Sequence, residues 1–92
     1  MSVDEIMSKK VTVKLFASLM EYLPINSTKH HGFDYDITKN ATVGYLIDDL
    51  KLPRNVIHIV LLNGVYLDAD TRDATVLSEG DTLGFWPPVA GG

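Results

Sequence analysis

Apolar and polar residues alternate over Val11-Thr12-Val13-Lys14-Leu15-Phe16, which predicts a first β-strand with Val11, Val13 and Leu15 in the core. The same parity sends Thr12, Lys14 and Phe16 to the opposite face. Ala17 to Leu23 fits a short helical turn that must end before Pro24, because a residue preceding proline is driven out of the helical region. Asn26 to Gly32 is polar and reads as a surface loop, and alternation returns over Phe33 to Ile37, a second strand paired with the first. Thr42 suits the N-cap of a helix from Val43 to about Lys51, with Val43, Leu46, Ile47 and Leu50 forming one apolar stripe. Asp48 and Asp49 fall off that stripe into solvent, and Pro53 marks the stop. Ile57 to Leu62 is apolar at nearly every position, as in a strand covered on both faces by the fold or by a partner. Asn63-Gly64 then predicts a hairpin returning along Val65 to Leu67. Thr75 to Glu79 suggests a short 3₁₀ or helical turn, and Thr82 to Trp86 a last strand.

Two strands, a helix and three further strands make an α+β domain, a sheet with one helix on a single face. Ninety-two residues suffice for one core and no more. On this pattern residues 1–10 form a flexible leader, 11–87 the folded domain, and 88–92 an exposed tail. The net charge of −4 and the lack of a basic patch speak against nucleic acid and favour a partner with basic surface. Without cysteine the chain has neither disulfides nor a thiol nucleophile, which fits a cytoplasmic protein. The longest apolar run, Val56 to Leu62, is short and interrupted by His58, so no membrane association is expected.

Candidate metal chemistry is thin. Asp68, Asp70, Asp73 and Glu79 suggest a calcium loop, but Arg72 and Asp73 stand where that loop needs an oxygen ligand and a glycine. His30, His31 and His58 lack the further ligands of a zinc site. The expectation is no metal and no cofactor bound directly.

The last eight residues, Phe85-Trp86-Pro87-Pro88-Val89-Ala90-Gly91-Gly92, are more informative. Pro87 and Pro88 fix φ and remove donors, which ends sheet pairing and sends the chain out extended. Gly91 and Gly92 have no Cβ, so a narrow channel would admit their backbone. A random chain ends in Gly-Gly about once in 200, so the diglycine gains meaning only from what precedes it.

Together with Gly80-Asp81-Thr82-Leu83, this stretch resembles the C-terminus of the small, sulfur-carrying subunit of molybdopterin synthase, one of the ubiquitin-like sulfur carriers. The resemblance covers about Val11 to Gly92 and implies the β-grasp fold, a mixed sheet of about five strands with one main helix. It implies that an E1-like adenylating enzyme, using ATP, activates Gly92, which becomes a thiocarboxylate. Val89, Ala90 and Gly91, led in by Pro88, would thread the channel of the large subunit of molybdopterin synthase, the pair forming a heterotetramer. Related carriers serve thiamin thiazole formation or amino-acid sulfur assimilation, and strict ubiquitin-like modifiers form isopeptides. A β-grasp interaction module with a chemically idle diglycine is a further reading. The Pro-Pro-Val-Ala lead-in favours the molybdopterin or tungstopterin branch. On this reading the chain has no active site of its own.

Docking requires a surface beside the tail. If Leu83 and Phe85 face the helix, Trp86 points the other way, where strand-one parity puts Phe16 and where Tyr66 falls if Leu67 is core. The family uses apolar positions on this sheet face, and Phe16, Tyr66 and Trp86 align with them.

Overall fold

A computed structural model describes residues 8–24 and 32–88. The alternation seen in the sequence becomes a five-stranded sheet of β1 (Lys9–Leu15), β2 (Gly32–Ile37), β3 (Ile59–Leu62), β4 (Val65–Tyr66) and β5 (Thr82–Trp86). Their order is β2-β1-β5-β3-β4. β1 and β5 run parallel, and the β1–β2, β5–β3 and β3–β4 pairs are antiparallel. The first and last strands in sequence thus lie side by side in the interior of the sheet. β1 starts at Lys9, so Lys9 and Lys10 belong to the sheet rather than to the leader expected over residues 1–10. Residues 1–7 and 25–31 lie outside the described residues, the latter including all of the loop expected over 26–32 except Gly32, which instead begins β2.

One face of the sheet is dry. Val11, Val13 and Leu15 of β1, Leu83 and Phe85 of β5, and Val60 of β3 are all buried. They pack with Val43, Leu46 and Ile47 of the helix α1 (Val43–Asp49). The helix starts where the sequence places it because the Thr42 hydroxyl accepts a hydrogen bond from the Tyr45 amide at 3.1 Å, satisfying an N–H that would otherwise be orphaned. It stops at Asp49, earlier than expected, with Leu50 as C-cap and Lys51 in the left-handed region at φ 58°. The Leu52 amide then bonds back to the Ile47 carbonyl at 3.0 Å, closing the open helix end. This is the β-grasp arrangement that the resemblance implies.

Two elements differ from expectation. The short helix after β4 is α2, Ala69–Arg72, and not the Thr75–Glu79 stretch. Thr75 to Leu77 is instead held beside the start of α1. Val76 forms a bridge with Thr42, the Val43 amide donates to the Thr75 carbonyl at 2.9 Å, and the Leu77 amide donates to the Ala41 carbonyl at 3.0 Å. These long-range bonds take the backbone groups that a local helical turn would have used. β3 also begins two residues later than predicted, after a 3₁₀ turn over Arg54–Val56.

Polar side chains staple the periphery. The Arg54 guanidinium donates to Asp48 at 3.0 Å, to both Asp73 oxygens at 2.8 Å and to the Gly44 carbonyl at 3.1 Å. It thereby joins α1, the 3₁₀ turn and the end of α2. The Arg54 hydrogen bond holds the Asp48 carboxyl below its ordinary pKa, and the two carboxylates push that of Arg54 up. Across the molecule the Tyr35 hydroxyl of β2 donates to Asp49. Partial burial, reinforced by that bond, raises the phenol pKa to about 12.

Candidate functional site on the open sheet face

Residues directly opposed in a ladder share a face, so the register fixes the composition of the face turned away from α1. On β1 and β2 it is polar: Thr12 pairs with Asp34 and Lys10 with Asp36, and the Thr12 hydroxyl donates to Asp34 at 3.1 Å. On β5, β3 and β4, Thr82 apart, it is apolar or bare. Trp86 stands opposite Ile59, Gly84 opposite Leu61, and Leu61 opposite Tyr66. Ile59 and Leu61 are only half-buried. The expectation that both faces of β3 are covered therefore fails within the chain, on the side carrying these two residues.

Phe16 and Trp86 meet on this face. Their rings stack with centroids 4.2 Å apart and planes inclined by only 5°. The indole leans back along β5 over Gly84, where a Cβ would sit 2.7 Å from Trp86 Cζ3, 2.8 Å from Cη2 and 3.5 Å from Phe16 Cε2, so both stacked rings border the bare glycine. Only glycine permits that approach. Beside the stack is a shallow groove of about 190 Å³, lined by Lys14, Phe16, Leu61, Gly64, Thr82, Gly84 and Trp86.

The backbone around the stack is tied on both sides. The Phe16 amide donates to the Phe85 carbonyl at 3.1 Å, and the His58 amide to the Trp86 carbonyl at 2.8 Å. Beyond Trp86 the strand ends. Pro87 is buried and Pro88 exposed, so the chain leaves the sheet at the rim of this apolar patch. At the other end of β5, Asn63 holds the strand start through its amide to the Thr82 carbonyl at 2.8 Å and its side chain to the Thr82 amide at 2.9 Å.

Of the residues singled out from sequence, Phe16, Tyr66 and Trp86 do share the open face. Phe16 and Trp86 are in contact, and Tyr66, 56% exposed, lies beyond β3 on the edge strand. Trp86 is half-buried, stacked against Phe16. Pro88 is at the root of the tail, and Val89, Ala90, Gly91 and Gly92 lie outside the described residues. Gly84, Ile59 and Leu61 belong to the patch but were not singled out. The available signal was parity, since Gly84 precedes Trp86 by two residues on one face. Among the described residues no group of three His, Cys, Asp or Glu side chains could hold a metal ion, and no helix is long and apolar enough to cross a membrane.

The ThiS family model matches residues 13–92. Small archaeal modifier protein 1 of Haloferax volcanii is 28% identical with a TM-score of 0.64, the match covering 88% of this chain and 99% of that one. A thiamine biosynthesis protein (ThiS) from Geobacter metallireducens is 25% identical, with a TM-score of 0.60 and coverage of 90% and 99%. A complex of subunits 1 and 2 of molybdopterin-converting factor from Helicobacter pylori matches at 25% identity and a TM-score of 0.53, again covering 90% and 99%. No curated protein matches the chain significantly.

Proposed function

The chain belongs to the ThiS family of ubiquitin-like sulfur carriers, and from that premise we propose that it carries sulfur as a thiocarboxylate on Gly92 for molybdopterin synthesis. One observation carries this reading: the family match runs through Gly92, and the interior strand β5 leads straight into that tail through Pro87 and Pro88.

A carboxylate resists nucleophiles because attack adds charge to an anion. On this proposal the Gly92 carboxylate attacks the α-phosphorus of ATP in an E1-like adenylating enzyme, and pyrophosphate leaves. Sulfur at the hydrosulfide level then adds to the acyl carbon and expels AMP, leaving the thiocarboxylate. The large subunit of molybdopterin synthase takes that sulfur for its pterin precursor, and hydrolysis restores the carboxylate. Gly91, Ala90 and Val89 thread the partner's channel, while Phe16, Tyr66 and Trp86 dock the sheet face beside it. The Helicobacter pylori complex of two converting-factor subunits supports a large-subunit partner, and the Pro-Pro-Val-Ala lead-in supports this branch.

A second reading, sulfur supply to thiazole formation, is favoured by the Geobacter metallireducens thiamine biosynthesis protein. The test is to mix the chain with an E1-like enzyme, ATP and a sulfur source and to measure its intact mass. Replacement of one oxygen by sulfur supports a carrier. The charged protein is then offered separately to a molybdopterin synthase large subunit with its precursor and to a thiazole synthase, and sulfur loss to the first alone supports the proposal. An unchanged mass, with an adenylating enzyme of proven competence, overturns it.

A further inference from the structure

We propose that Phe16 and Gly84 are positioning residues that act through Trp86, presenting its indole in one fixed orientation at the root of the tail. The inference deepens, and rests on, the reading of Gly92 as the acyl group that a partner activates.

Four observations bear on one spot. Gly84 offers bare backbone where any Cβ would meet the indole at 2.7 Å. Phe16 stacks on the indole at 4.2 Å and 5°, and its own ring reaches the same bare position, 3.5 Å from where that Cβ would sit. Ala17, the residue after Phe16, sits in the left-handed region at φ 52°, an unfavourable conformation for a residue with a Cβ. That turn carries the chain from β1 into a 3₁₀ segment, Ala17–Tyr22, while the Phe16 amide stays bonded to the Phe85 carbonyl. Trp86 itself is the last residue of β5 before Pro87. A side chain stacked on a neighbouring ring, with its tip against bare backbone, has already given up its rotamer freedom, so docking it costs a partner less. Phe16 would then contribute to recognition mainly by holding Trp86 down.

Substitution separates holding from touching. Gly84→Ala must push the indole out by about 1 Å, since ordinary carbon contacts lie at 3.5–4.0 Å, and the obstacle is a side-chain tip rather than backbone. Phe16→Leu removes the ring but keeps an apolar group. Trp86 is the only tryptophan, so its fluorescence reports the grip directly. Both variants are expected to red-shift the emission. They should raise the KM for the carrier in pyrophosphate release by an E1-like enzyme that charges the wild type, by about tenfold, or 1.4 kcal/mol. The expected kcat is unchanged, and Phe16→Tyr, which keeps the ring, restores both values. Combined with Trp86→Ala, Phe16→Leu should add nothing further.

A shifted emission with an unmoved KM overturns the proposal, and so do Phe16 and Trp86 effects that multiply. If either variant does not fold, the other decides. A wild-type chain that no adenylating enzyme accepts removes the functional reading and this inference with it. Loss of the KM effect in a chain that is charged normally removes the inference alone.

Discussion

Phe85 and Trp86 are neighbours on opposite faces of β5, and truncating each in turn weighs the two faces against each other. Phe85 is fully buried, on an interior strand bonded to both β1 and β3. Phe85→Ala removes an aromatic ring from close-packed surroundings and is expected to cost about 3–5 kcal/mol. A 92-residue domain has about 5–14 kcal/mol of total stability at usual per-residue values, so the variant gives up between about a fifth and all of it. Trp86→Ala loses only half-buried area and one stacked pair, the latter worth about 0.5–1.5 kcal/mol, and should cost about 1–2 kcal/mol in all. Urea unfolding followed by far-ultraviolet circular dichroism measures both without relying on tryptophan emission. The midpoint should fall far more for Phe85→Ala at an unchanged denaturant slope. A Trp86→Ala loss equal to or larger than that of Phe85→Ala would refute the assignment of faces, and with it the open face as the docking side.

Other perturbations probe different parts of the molecule. Deleting Gly92, or replacing Gly91 with leucine, is expected to abolish thiocarboxylate formation while leaving the thermal melt almost unchanged, as intact mass and calorimetry would show. The folded state raises the Tyr35 pKa to about 12. The stability this brings is therefore fully present below the ordinary tyrosine pKa of about 10 and is lost as pH rises through about 12. Tyr35→Phe should remove that alkaline loss from a pH series of urea midpoints. Asp48 is held low by Arg54, so its contribution is present above the ordinary carboxylate pKa and disappears as pH falls through the folded value. Arg54→Ala should flatten that acid limb and release Asp73 as well. Asn63-Gly64 turns the β3–β4 hairpin with φ 51° and 83°, and Gly64→Ala should cost about 1 kcal/mol through the left-handed conformation alone.

The parts of this fold that were legible in sequence are those written in local periodicity. Val11, Val13 and Leu15 alternate because a strand has two faces, and Val43, Leu46 and Ile47 recur because a helix has a stripe. Both sets are buried as the pattern requires. Thr42 was readable because capping is chemistry within four residues. What escaped depends on residues brought together from far apart. Thr75 to Leu77 is extended because Ala41 and Val43 take its backbone bonds, and nothing near position 75 says so. A glycine inside a strand reads locally as a weakness. Gly84 acquires its meaning only when Trp86 folds back over it and Phe16, from the other end of the chain, stacks beside the indole. Arg54 likewise unites three segments that have no shared local signal. The patch was half legible, since parity put Phe16, Tyr66 and Trp86 on one side but gave no hint that two of them interlock.

The parallel pairing of β1 with β5 also orders events during synthesis. A ribosome makes β1 first and β5 last of the five strands, so β1 waits for its parallel neighbour until the rest of the sheet has emerged. Contacts of such long sequence separation form slowly, and until they form the nascent polypeptide exposes Val11, Val13 and Leu15 to chaperones and proteases. The strand that completes the hydrophobic interior is also the one that delivers the diglycine. On the proposed function, an unfinished or misfolded copy would have no docking face to accompany its end, so the geometry itself would screen which molecules reach the adenylating step.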